Sequence, residues 1–441
     1  MTETIRCPAV LIAAPASGQG KTTITAALAR LHARQGRRVR VFKCGPDFLD
    51  PFWHALASGA PVYQVDLWMT GEVDCRARLH AAAQEADLII VEGVMGLYDG
   101  APSAADLARH FGLPILAVVD AGSMAGTFGA VAYGLQHYQD GLRWAGVLAN
   151  RVGSERHAEM LRVSLKQPEH WLGALLRNPA LTLPERHLGL VAATELSDAM
   201  ERLDAAADAL ATTPLGQMSG QQLQAWAVEF PPAVLPDAGR PLQGQTIAVA
   251  RDAAFCFLYA ANLDCLQQLG ARLAYFSPLA GEALPACDAV WLPGGYPELH
   301  ADKLTANHAL RDSLRAHVAA NKPVWAECGG MMVLFEQLMD KQGAQHAMWG
   351  LLPGRVVMQK RLAGLGSQQL LIDGRQLRGH TFHYSTSETP LVPYAHTTRP
   401  EGGEGGEAVY AHGPVVASYF HAWFASNPAL VARIFTQGLA A

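Results

Sequence analysis

A glycine-rich turn near the start of the chain carries the residue types that bind phosphate. It consists of Ser17, Gly18, Gln19, Gly20, Lys21, Thr22 and Thr23. Glycines let the backbone direct its N–H groups toward an anion, and the start of the following helix adds its dipole. The Lys21 ammonium is placed to reach the outer phosphates of a nucleotide, and the Thr22 hydroxyl to ligate Mg²⁺. The pattern therefore predicts that all of these residues except Gln19 bind the phosphates of ATP.

One position departs from the usual phosphate-loop pattern G-x-x-x-x-G-K-[ST]. Pro15 stands where that pattern has its first glycine. An ordinary strand–helix turn with a solvated lysine is the alternative interpretation. The surroundings favour phosphate binding, because apolar residues 11–14 precede the turn and an alanine-rich stretch, residues 24–32, follows it, as a strand and a helix would.

Two acidic residues follow the ends of further apolar segments in the same half of the chain. Residues 38–42 and 88–91 are short and largely apolar, as buried parallel strands are. Asp47 follows the first segment and Glu92 the second. Because the carboxyl ends of parallel strands meet at one edge of a sheet, both acids are expected near the nucleotide and its Mg²⁺. Helix capping is the alternative use of one acid, but it explains poorly five charged residues at one edge.

The second half of the chain places a cysteine in a setting typical of a nucleophile. Residues 323–332 have the pattern of a strand, a tight turn and a helix, with Cys328 at the turn. A helix N-terminus there is expected to lower the pKa of the thiol and to favour the thiolate. A small buried core residue is the alternative. The paired Gly329 and Gly330, together with the downstream His421, favour a nucleophile.

Alternating strands and helices must hold the first group of residues in place. Residues 115–119 and 145–149 are further apolar segments, so the first half is predicted to form a doubly wound parallel sheet with ligands at its C-terminal edge. The stretch 112–135 lacks Lys and Arg but contains Asp120 and several glycines. We therefore interpret it as a strand, a loop and a helix over 127–137, not as a membrane span.

A second α/β series begins after a proline-rich segment. Residues 229–241 contain four prolines and no helical or strand period, which is typical of a semi-rigid linker. Strands are predicted over residues 246–250, 272–276 and 289–292. The predicted organisation is an ATP-dependent domain over residues 1–228, a linker over 229–244 and a second domain over 245–441.

Composition excludes several classes of protein. The chain has 441 residues, 17% of them charged, and a formal net charge of −5, so nothing indicates a nucleic-acid partner. Its seven cysteines include no C-x-x-C pair, which argues against a disulfide framework or a zinc site and favours a reducing cytoplasm. Residues 8–16 faintly resemble a signal peptide, but Glu3 precedes them and cleavage would destroy the phosphate loop. We expect a cytoplasmic protein with no membrane partner.

Longer motifs in the first half resemble the synthetase half of the cobyrinic acid a,c-diamide synthases, which belong to the dethiobiotin-synthetase and MinD group of P-loop proteins. The motifs are FKCGPDFLDPFWH, VDLWM, VEGVMGLYDG, ANRVGSERHAEML and LPERHLGLV. That family amidates the a and c acetate side chains of a corrinoid in the cobalamin pathway, using ATP and glutamine and an acyl-phosphate intermediate. The resemblance implies that Lys21, Thr22 and Mg²⁺ steady the transferred phosphoryl group.

The same resemblance implies roles for the charged residues of these motifs. Lys43 would bind phosphate and offset the charge between the substrate carboxylate and the nucleotide. Asp47 and Glu92 would ligate Mg²⁺ together with Thr22. The remaining acids would position the substrate or ammonia: Asp50, Asp66 and Asp99.

The second half resembles the class I glutamine amidotransferases of the cobyrinic and cobyric acid synthase type. Its motifs are GGYPEL, AECGG and, at 378–385, RGHTFHYS. The resemblance implies that Cys328 attacks the glutamine amide, with His421 as its base. Backbone N–H groups at Gly295 and Gly329 would form the oxyanion hole. Trp423 occupies the position where many relatives carry a third, acidic member, so we expect a Cys–His dyad.

Two further features of the second half receive non-catalytic interpretations. His380 and His383 lie in the motif at 378–385, where a structural or glutamine-positioning role fits them better than base catalysis. The Gly- and Glu-rich stretch 399–407 is predicted to be a mobile surface loop.

The two resemblances together imply an enzyme, a carbon–nitrogen ligase with glutamine as amido donor, that acts on cobyrinic or hydrogenobyrinic acid. Three alternatives stay open: a cobyric acid synthase, a sirohydrochlorin-type a,c-diamide synthase, and a MinD-like ATPase switch that would leave the Cys–His half unused. Whether the macrocycle holds cobalt, which carboxylate reacts first and whether the chain forms a homodimer are also open.

Overall fold

The computed structural model describes residues 3–186, 189–190, 196–403 and 405–439. It divides into two compact units, Met1–Leu235 and Pro236–Ala441. The division falls inside the proline-rich segment. Each unit has its own sheet and its own apolar core and is described by itself.

The first unit alternates strands and helices along nearly all of its length. Its strands are β1 Ile5–Ala13, β2 Val39–Cys44, β3 Tyr63–Val65, β4 Leu88–Glu92, β5 Ile115–Asp120, β6 Trp144–Val152, β7 Trp171–Leu176, β8 Glu185–Arg186, β9 Gly189–Leu190 and β10 Ala227–Phe230. Its α-helices are α1 Lys21–Arg34, α2 Asp50–Ser58, α3 Glu72–Glu85, α4 Ala104–Phe111, α5 Thr127–His137, α6 Glu155–Ser164, α7 Ala199–Ala211 and α8 Gly220–Leu223.

The main sheet of this unit has the strand order β3-β2-β4-β1-β5-β6-β7, and these seven strands are parallel. Apolar clusters cover both of its faces. All side chains from Ala9 to Ala13 and from Leu88 to Glu92 are buried, which is why the central strands have continuous apolar runs instead of an alternating pattern. The predicted doubly wound sheet is confirmed, and its C-terminal edge brings together the ends of β1, β2 and β4.

The start of the predicted linker is part of the sheet. β10 pairs antiparallel with the beginning of β1, with Ile5 opposite Phe230 and Arg6 opposite Glu229. The prediction that residues 229 and 230 belong to the linker is therefore wrong. Phe230 is buried in the core of the first unit, and this burial stabilises the short strand β10. The prolines that follow it made the sequence resemble a linker instead of a strand.

The second unit contains the remaining elements. Its strands are β11 Thr246–Ala250, β12 Arg272–Phe276, β13 Ala289–Leu292, β14 Val324–Glu327, β15 Phe335–Met339, β16 Gln345–Ala347, β17 Leu352–Met358, β18 Gly364–Ile372, β19 Arg375–His383, β20 Ser385–Glu388, β21 Ala395–His396, β22 Ala408–His412, β23 Val415–Ser418 and β24 His421–Ala422. Its helices are α9 Ala260–Gln268, α10 Ala301–Ala306, α11 His308–Ala319, α12 Gly329–Met332 and α13 Pro428–Gln437.

The larger sheet of the second unit has the order β12-β11-β13-β14-β23-β22-β21. The first five of these strands are parallel, and the last two turn antiparallel. Smaller sheets of four and three strands lie beside it, the latter with the order β18-β19-β24. Because β14 and β23 are parallel neighbours, the residues that follow them emerge at the same sheet edge.

Several predicted elements agree closely with the structure. β11, β12, β13 and α5 have the predicted bounds, and the stretch taken for a strand, a loop and a helix forms β5 and α5. All seven cysteines have free thiols. The described helices include no segment with the length and hydropathy of a membrane span.

Candidate active sites

The phosphate loop joins β1 to α1 through backbone conformations that favour glycine. Gly18 and Gly20 have φ values of 77° and 95°, in the left-handed region where a side chain is strained. A Cβ added to Gly20 would lie 2.2 Å from Nδ2 of Asn150, so the Asn150 side chain would have to move. Lys21 and Thr22 are the first two residues of α1. They therefore lie where the backbone N–H groups lack partners within the helix.

Lys21 is buried and already hydrogen-bonded. Its Nζ donates to the carbonyl of Met95 at 2.6 Å and lies 3.4 Å from the carbonyl of Ala16. Burial lowers the pKa of this ammonium, although nearby Glu92 opposes the change. The Lys21 head group thus lies between the phosphate loop and the loop that follows β4.

Glu92 is the centre of a buried polar cluster at the end of β4. Its carboxylate accepts a hydrogen bond from Oγ1 of Thr22 at 2.8 Å and lies 3.3 Å from Nζ of Lys43. The other carboxylate oxygen contacts Nε2 of His54, a fully buried residue of α2. Three different elements therefore fix the position of this one acid.

Lys43 links Glu92 to the two aspartates of the next loop. Its Nζ lies 2.6 Å from Oδ2 of Asp50 and 3.8 Å from Oδ2 of Asp47. Burial alone would lower the pKa of Lys43, but its carboxylate neighbours outweigh burial and hold that pKa above its ordinary value. Burial and the negative charge of Asp50 raise the pKa of Asp47, whereas Lys43 holds the pKa of Asp50 low. The cluster therefore keeps Lys43 charged.

The structure places the two other predicted acids in local turns. Oδ1 of Asp66 accepts hydrogen bonds from the N–H groups of Trp68 and Met69, which caps a short helical turn. Oδ2 of Asp99 accepts from the N–H of Gly96 at 2.8 Å. Both carboxylates thus have a structural use, and their roles with substrate or ammonia stay predictions.

Cys328 lies at a strained turn between β14 and α12. It has φ 46° and ψ −107°, an unusual conformation for a residue with a side chain. Its N–H donates to the carbonyl of Ser418 at 2.7 Å, which ties the turn to the end of β23. The side chain is 4% exposed, so only a small part of it meets solvent.

The expected lowering of the Cys328 pKa is wrong. Burial raises that pKa, the carboxylate of Glu298 raises it further, and the N–H of Gly329 opposes the rise only in part. α12 has four residues, which is too short for a strong dipole, and desolvation disfavours the thiolate. The resting residue is therefore a neutral thiol.

Glycines surround the reacting groups at this edge. A Cβ added to Gly329 would lie 2.9 Å from the backbone N of Gly295, and one added to Gly294 would lie 2.4 Å from Cε1 of His421. The backbone of the GGYPEL motif thus passes directly against both the residue after Cys328 and the histidine ring. This arrangement agrees with the prediction that Gly295 and Gly329 form an oxyanion hole, which stays a prediction.

His421 is buried beside a second histidine. The rings of His380 and His421 stack with centroids 4.9 Å apart and 17° between their planes, and the two residues are opposite each other in the β19–β24 pair. Burial lowers the pKa of His421 well below its ordinary value. Burial also lowers the pKa of His380 to about 3. Nδ1 of His380 lies 3.1 Å from the Tyr259 hydroxyl, so a neutral, anchored ring supports His421.

His383 and Glu407 contact each other in the same region. Nε2 of His383 lies 2.9 Å from Oε1 of Glu407, and Nδ1 lies 2.8 Å from the carbonyl of Ser385. The ring is thus held at both of its nitrogens. Glu407 also accepts from Oγ1 of Thr381 at 2.8 Å. The predicted mobile loop 399–407 is therefore wrong at its last residue, which these contacts hold.

Two domain families match separate parts of the chain. Residues 10–191 match the CobQ/CobB/MinD/ParA nucleotide binding domain, and residues 246–429 match the CobB/CobQ-like glutamine amidotransferase domain. Full-length relatives are similar across both parts. A hydrogenobyrinate a,c-diamide synthase of Pseudomonas aeruginosa is 57% identical over 97% of this chain and 97% of its own. The chain belongs to the a,c-diamide synthase family.

Two more relatives differ in the substrate that their names give. The hydrogenobyrinate a,c-diamide synthase of Stutzerimonas stutzeri is 57% identical over 97% of this chain and 98% of its own. The cobyrinate a,c-diamide synthase of Herminiimonas arsenicoxydans is 50% identical over 98% of this chain and 97% of its own. Family membership confirms the resemblance predicted from the motifs in both halves.

Residues that the sequence analysis did not single out support the phosphate loop of this family member. Nδ2 of Asn150 donates to the carbonyl of Gln19 at 2.9 Å, and Nη1 of Arg151 donates to the carbonyl of Gly18 at 2.9 Å. Arg151 also pairs with Asp120 at 2.7 Å. These residues lie at the ends of β5 and β6. The motif ANRVGSERHAEML contains Asn150 and Arg151, and it was the feature of the sequence that could have indicated their role.

Proposed function

We propose that this chain catalyses the ATP- and glutamine-dependent amidation of the a and c acetate carboxylates of cobyrinic or hydrogenobyrinic acid in cobalamin biosynthesis. The observation that carries the proposal is the presence, in one chain, of a phosphate loop beside the Glu92 cluster and a buried Cys–His site. The names of the relatives give the substrate class. The chain is thus a ligase with ATP, glutamine and a corrinoid as substrates.

In the synthetase step, a carboxylate oxygen of the corrinoid attacks the γ-phosphorus of ATP, and the bond to ADP breaks. The product is an acyl phosphate, whose carbonyl carbon ammonia then attacks as phosphate leaves. Lys21 would transfer its hydrogen bond from the Met95 carbonyl to the phosphoryl oxygens. Lys43, which the aspartates keep charged, would reduce repulsion between the carboxylate and ATP.

The residues near the phosphate loop fit Mg²⁺ as part of a nucleotide complex. No group of three or more His, Cys, Asp or Glu side chains among the described residues is arranged to hold a metal by itself. Oγ1 of Thr22 and Oε1 of Glu92 lie 2.8 Å apart, close to the roughly 3 Å between neighbouring ligands on an ion with bonds of about 2.1 Å. Thr22, Glu92 and Asp47 would hold Mg²⁺, which would neutralise part of the charge of the bound nucleotide.

In the glutaminase step, His421 takes the thiol proton as Sγ of Cys328 attacks the amide carbon. His421 then gives a proton to the leaving nitrogen, which departs as ammonia, and water hydrolyses the thioester to glutamate. Both groups are neutral at rest, since burial raises the pKa of Cys328 and lowers that of His421. The proton transfer therefore accompanies the attack on bound glutamine.

Two variants test this division of labour. Cys328→Ala should abolish amidation with glutamine but retain amidation with ammonia, most strongly at alkaline pH where more NH₃ is unprotonated. Lys21→Ala should abolish both, because activation precedes either nitrogen source. Glutamine use by Cys328→Ala would overturn the amidotransferase assignment, and ammonia use by Lys21→Ala would overturn the phosphate-loop assignment. A MinD-like ATPase would show no glutaminase activity in the wild-type chain.

Other parts of the proposal concern substrate and organisation. Parallel assays with cobalt-containing and cobalt-free substrate distinguish cobyrinic from hydrogenobyrinic acid. We propose two domains joined through residues 231–244, and a cytoplasmic location supported by seven free cysteines. The net charge of −5 gives no support to a nucleic-acid partner. A homodimer is a hypothesis that light scattering on the purified chain tests.

A further inference from the structure

Glu327 is a buried carboxylate directly before the nucleophile. It is the last residue of β14, is 2% exposed and immediately precedes Cys328. Its Oε1 accepts hydrogen bonds from Nε1 of Trp325 at 2.9 Å and from the N–H of Ala422 at 3.0 Å. Neither donor carries a charge, so Glu327 forms no ion pair with either of them.

The Ala422 contact reaches the catalytic base. The N–H of Ala422 belongs to the peptide bond that begins at the carbonyl of His421, so Glu327 holds the peptide unit that joins the base to the next residue. Asn262 holds the opposite side of Ala422, because its Nδ2 donates to the Ala422 carbonyl at 2.8 Å. β24 pairs with β19 at the same two residues. The orientation of the His421 backbone is therefore fixed by a few buried contacts.

The Glu327 side chain thus connects the end of β14, which precedes Cys328, to β24, which begins at His421. Glu327 and Ser418 are opposite each other in the β14–β23 pair, and the N–H of Cys328 donates to the carbonyl of Ser418. The chain then turns from Ser418 to His421 within three residues. Glu327 contacts the chain directly after that turn, through the N–H of Ala422.

A buried carboxylate with neutral donors is a costly choice for stability alone. Burial disfavours the charged form of Glu327 and raises its pKa to about 7, and an apolar residue of similar volume would often stabilise a core as well or better. The two donors need an acceptor, however, and leaving a buried N–H without one also costs free energy. An acid at this position is explained if the placement of the Ala422 peptide matters more to the enzyme than the stability lost by burying the carboxyl group.

We propose that Glu327 is a positioning residue of the glutaminase site, which holds His421 at the distance and angle at which it can take the Cys328 proton. This inference rests on the proposed glutaminase function of Cys328 and His421. Glu327 touches neither substrate nor the reacting atoms in this role. It acts on the rate of proton transfer and attack through the His421–Ala422 peptide.

Two conservative variants separate the reach of the side chain from its charge. Glu327→Asp keeps the charge but withdraws the oxygen by one methylene, so the Ala422 contact is lost. Glu327→Gln keeps an oxygen at full reach, and the two N–H donors orient the amide so that this oxygen faces them. We expect the glutaminase kcat of Glu327→Asp to fall about tenfold to hundredfold, with KM for glutamine within about threefold. Glu327→Gln should keep kcat within about threefold.

The pH dependence of Cys328 alkylation by iodoacetamide gives a second readout. Glu327 is among the acids whose negative charge raises the pKa of Cys328, and Glu298 and Glu407, which act the same way, are unchanged in both variants. Glu327→Gln should therefore shift alkylation to lower pH, whereas Glu327→Asp should shift it little. The kcat should therefore change in Glu327→Asp, and the pH dependence of alkylation should change in Glu327→Gln. A general loosening of the fold would change both readouts in the same variant.

Two controls make each outcome decisive. Trp325→Phe removes the indole donor of Trp325 while leaving the Ala422 contact, and should keep kcat within about threefold. Ammonia-dependent amidation should be unchanged in all three variants, which shows that the chain is folded. The inference is overturned if Glu327→Asp keeps wild-type kcat, if Glu327→Gln is the more damaged variant, or if Trp325→Phe loses as much activity as Glu327→Asp.

The failure of this inference is distinguishable from failure of the proposed function. If Cys328→Ala abolishes glutamine use but Glu327→Asp is fully active, only the role of Glu327 is wrong. If Cys328→Ala still hydrolyses glutamine, the glutaminase assignment itself is wrong, and with it the premise of this inference.

Discussion

Thr22 and Glu92 are hydrogen-bonded to each other across 70 residues of chain, with Oγ1 as donor and Oε1 as acceptor at 2.8 Å. The contact joins the first turn of α1 to the end of β4. Lys43 lies 3.3 Å from the same carboxylate oxygen, so the acid is oriented and its charge is compensated in the protein alone.

Glu92→Gln is expected to raise the Mg²⁺ concentration needed for ammonia-dependent amidation by about tenfold or more. The amide oxygen can still accept from Thr22, but the anionic ligand becomes neutral. The measurement is a Mg²⁺ titration of activity at fixed ATP. Glu85→Gln, which changes a more exposed acid paired with Arg40, is the control. An unchanged Mg²⁺ dependence in Glu92→Gln would return Glu92 to a structural role.

Gly20→Ala is expected to weaken ATP binding far more than Gly18→Ala. Both residues have positive φ, which costs an alanine about 1–2 kcal/mol. Only the Cβ of Gly20→Ala meets an obstacle, Nδ2 of Asn150 at 2.2 Å, whereas nothing lies within 4 Å of the Cβ position of Gly18. Isothermal titration with ATP compares the two variants.

A double variant checks the cause of that difference. Asn150→Ala in the Gly20→Ala background removes the clash but leaves the backbone strain, so ATP affinity should recover in part. Equal losses in Gly18→Ala and Gly20→Ala would contradict the steric explanation and leave strain as the sole cause.

The sequence predicts most of the strands that carry the sites because their signal is local. β11, β12 and β13 are short apolar runs between turn residues, and their predicted bounds equal the observed ones. The phosphate loop and Cys328 also have local patterns. β10 was missed, because its place beside β1 depends on a contact between residues more than 200 positions apart.

Side-chain contacts across the sheet edge could not be predicted for the same reason. His54 lies in the middle of α2, and only the fold brings it to Glu92. Asn150 and Arg151 reach the phosphate loop from β6, which neighbours β5 and not β1. The pKa of Cys328 was predicted in the wrong direction because the sequence shows the turn before a helix but not the burial of the thiol or the Glu298 carboxylate near it.

His32 should make the first unit less stable as the pH falls below about 6.5. Burial and the charge of Arg37 lower the pKa of this histidine to about 4, so the unfolded chain binds a proton that the folded chain refuses. The free energy of unfolding should fall by up to about 1.4 kcal/mol per pH unit between the two pKa values. This contribution is fully present above the unfolded pKa.

Chemical denaturation of the wild type and of His32→Leu at several pH values measures that slope. The difference in unfolding free energy between the two should change with pH in this window and level off above it. His137→Leu, which removes an exposed histidine of the same unit, is the control. Parallel pH curves for the wild type and His32→Leu would contradict the effect of burial at this site.

Limited proteolysis should cut the chain first between Pro231 and Arg240. These residues form no helix or strand, and Val234 is 89% exposed, so a protease can bind them without unfolding a domain. Thermolysin, which cleaves before apolar residues, is the suitable enzyme, because trypsin has only Arg240 in this stretch and Pro241 follows it. The N-terminal side of Val234 is the expected site, and the products should separate the two units.

A variant with Val234→Gly and Leu235→Gly provides the control, since it removes the apolar side chains that thermolysin recognises and should slow this cut. Mass spectrometry of the early products locates the cleavage. Glu229 and Phe230 should resist, because β10 pairs with β1 and Phe230 is buried. The stretch 399–403 is the second expected site, whereas Glu407 is held by His383 and Thr381. First cleavage within Leu88–Glu92 or Val324–Glu327 would contradict the division of the chain into two units, because both strands lie at the centre of a sheet.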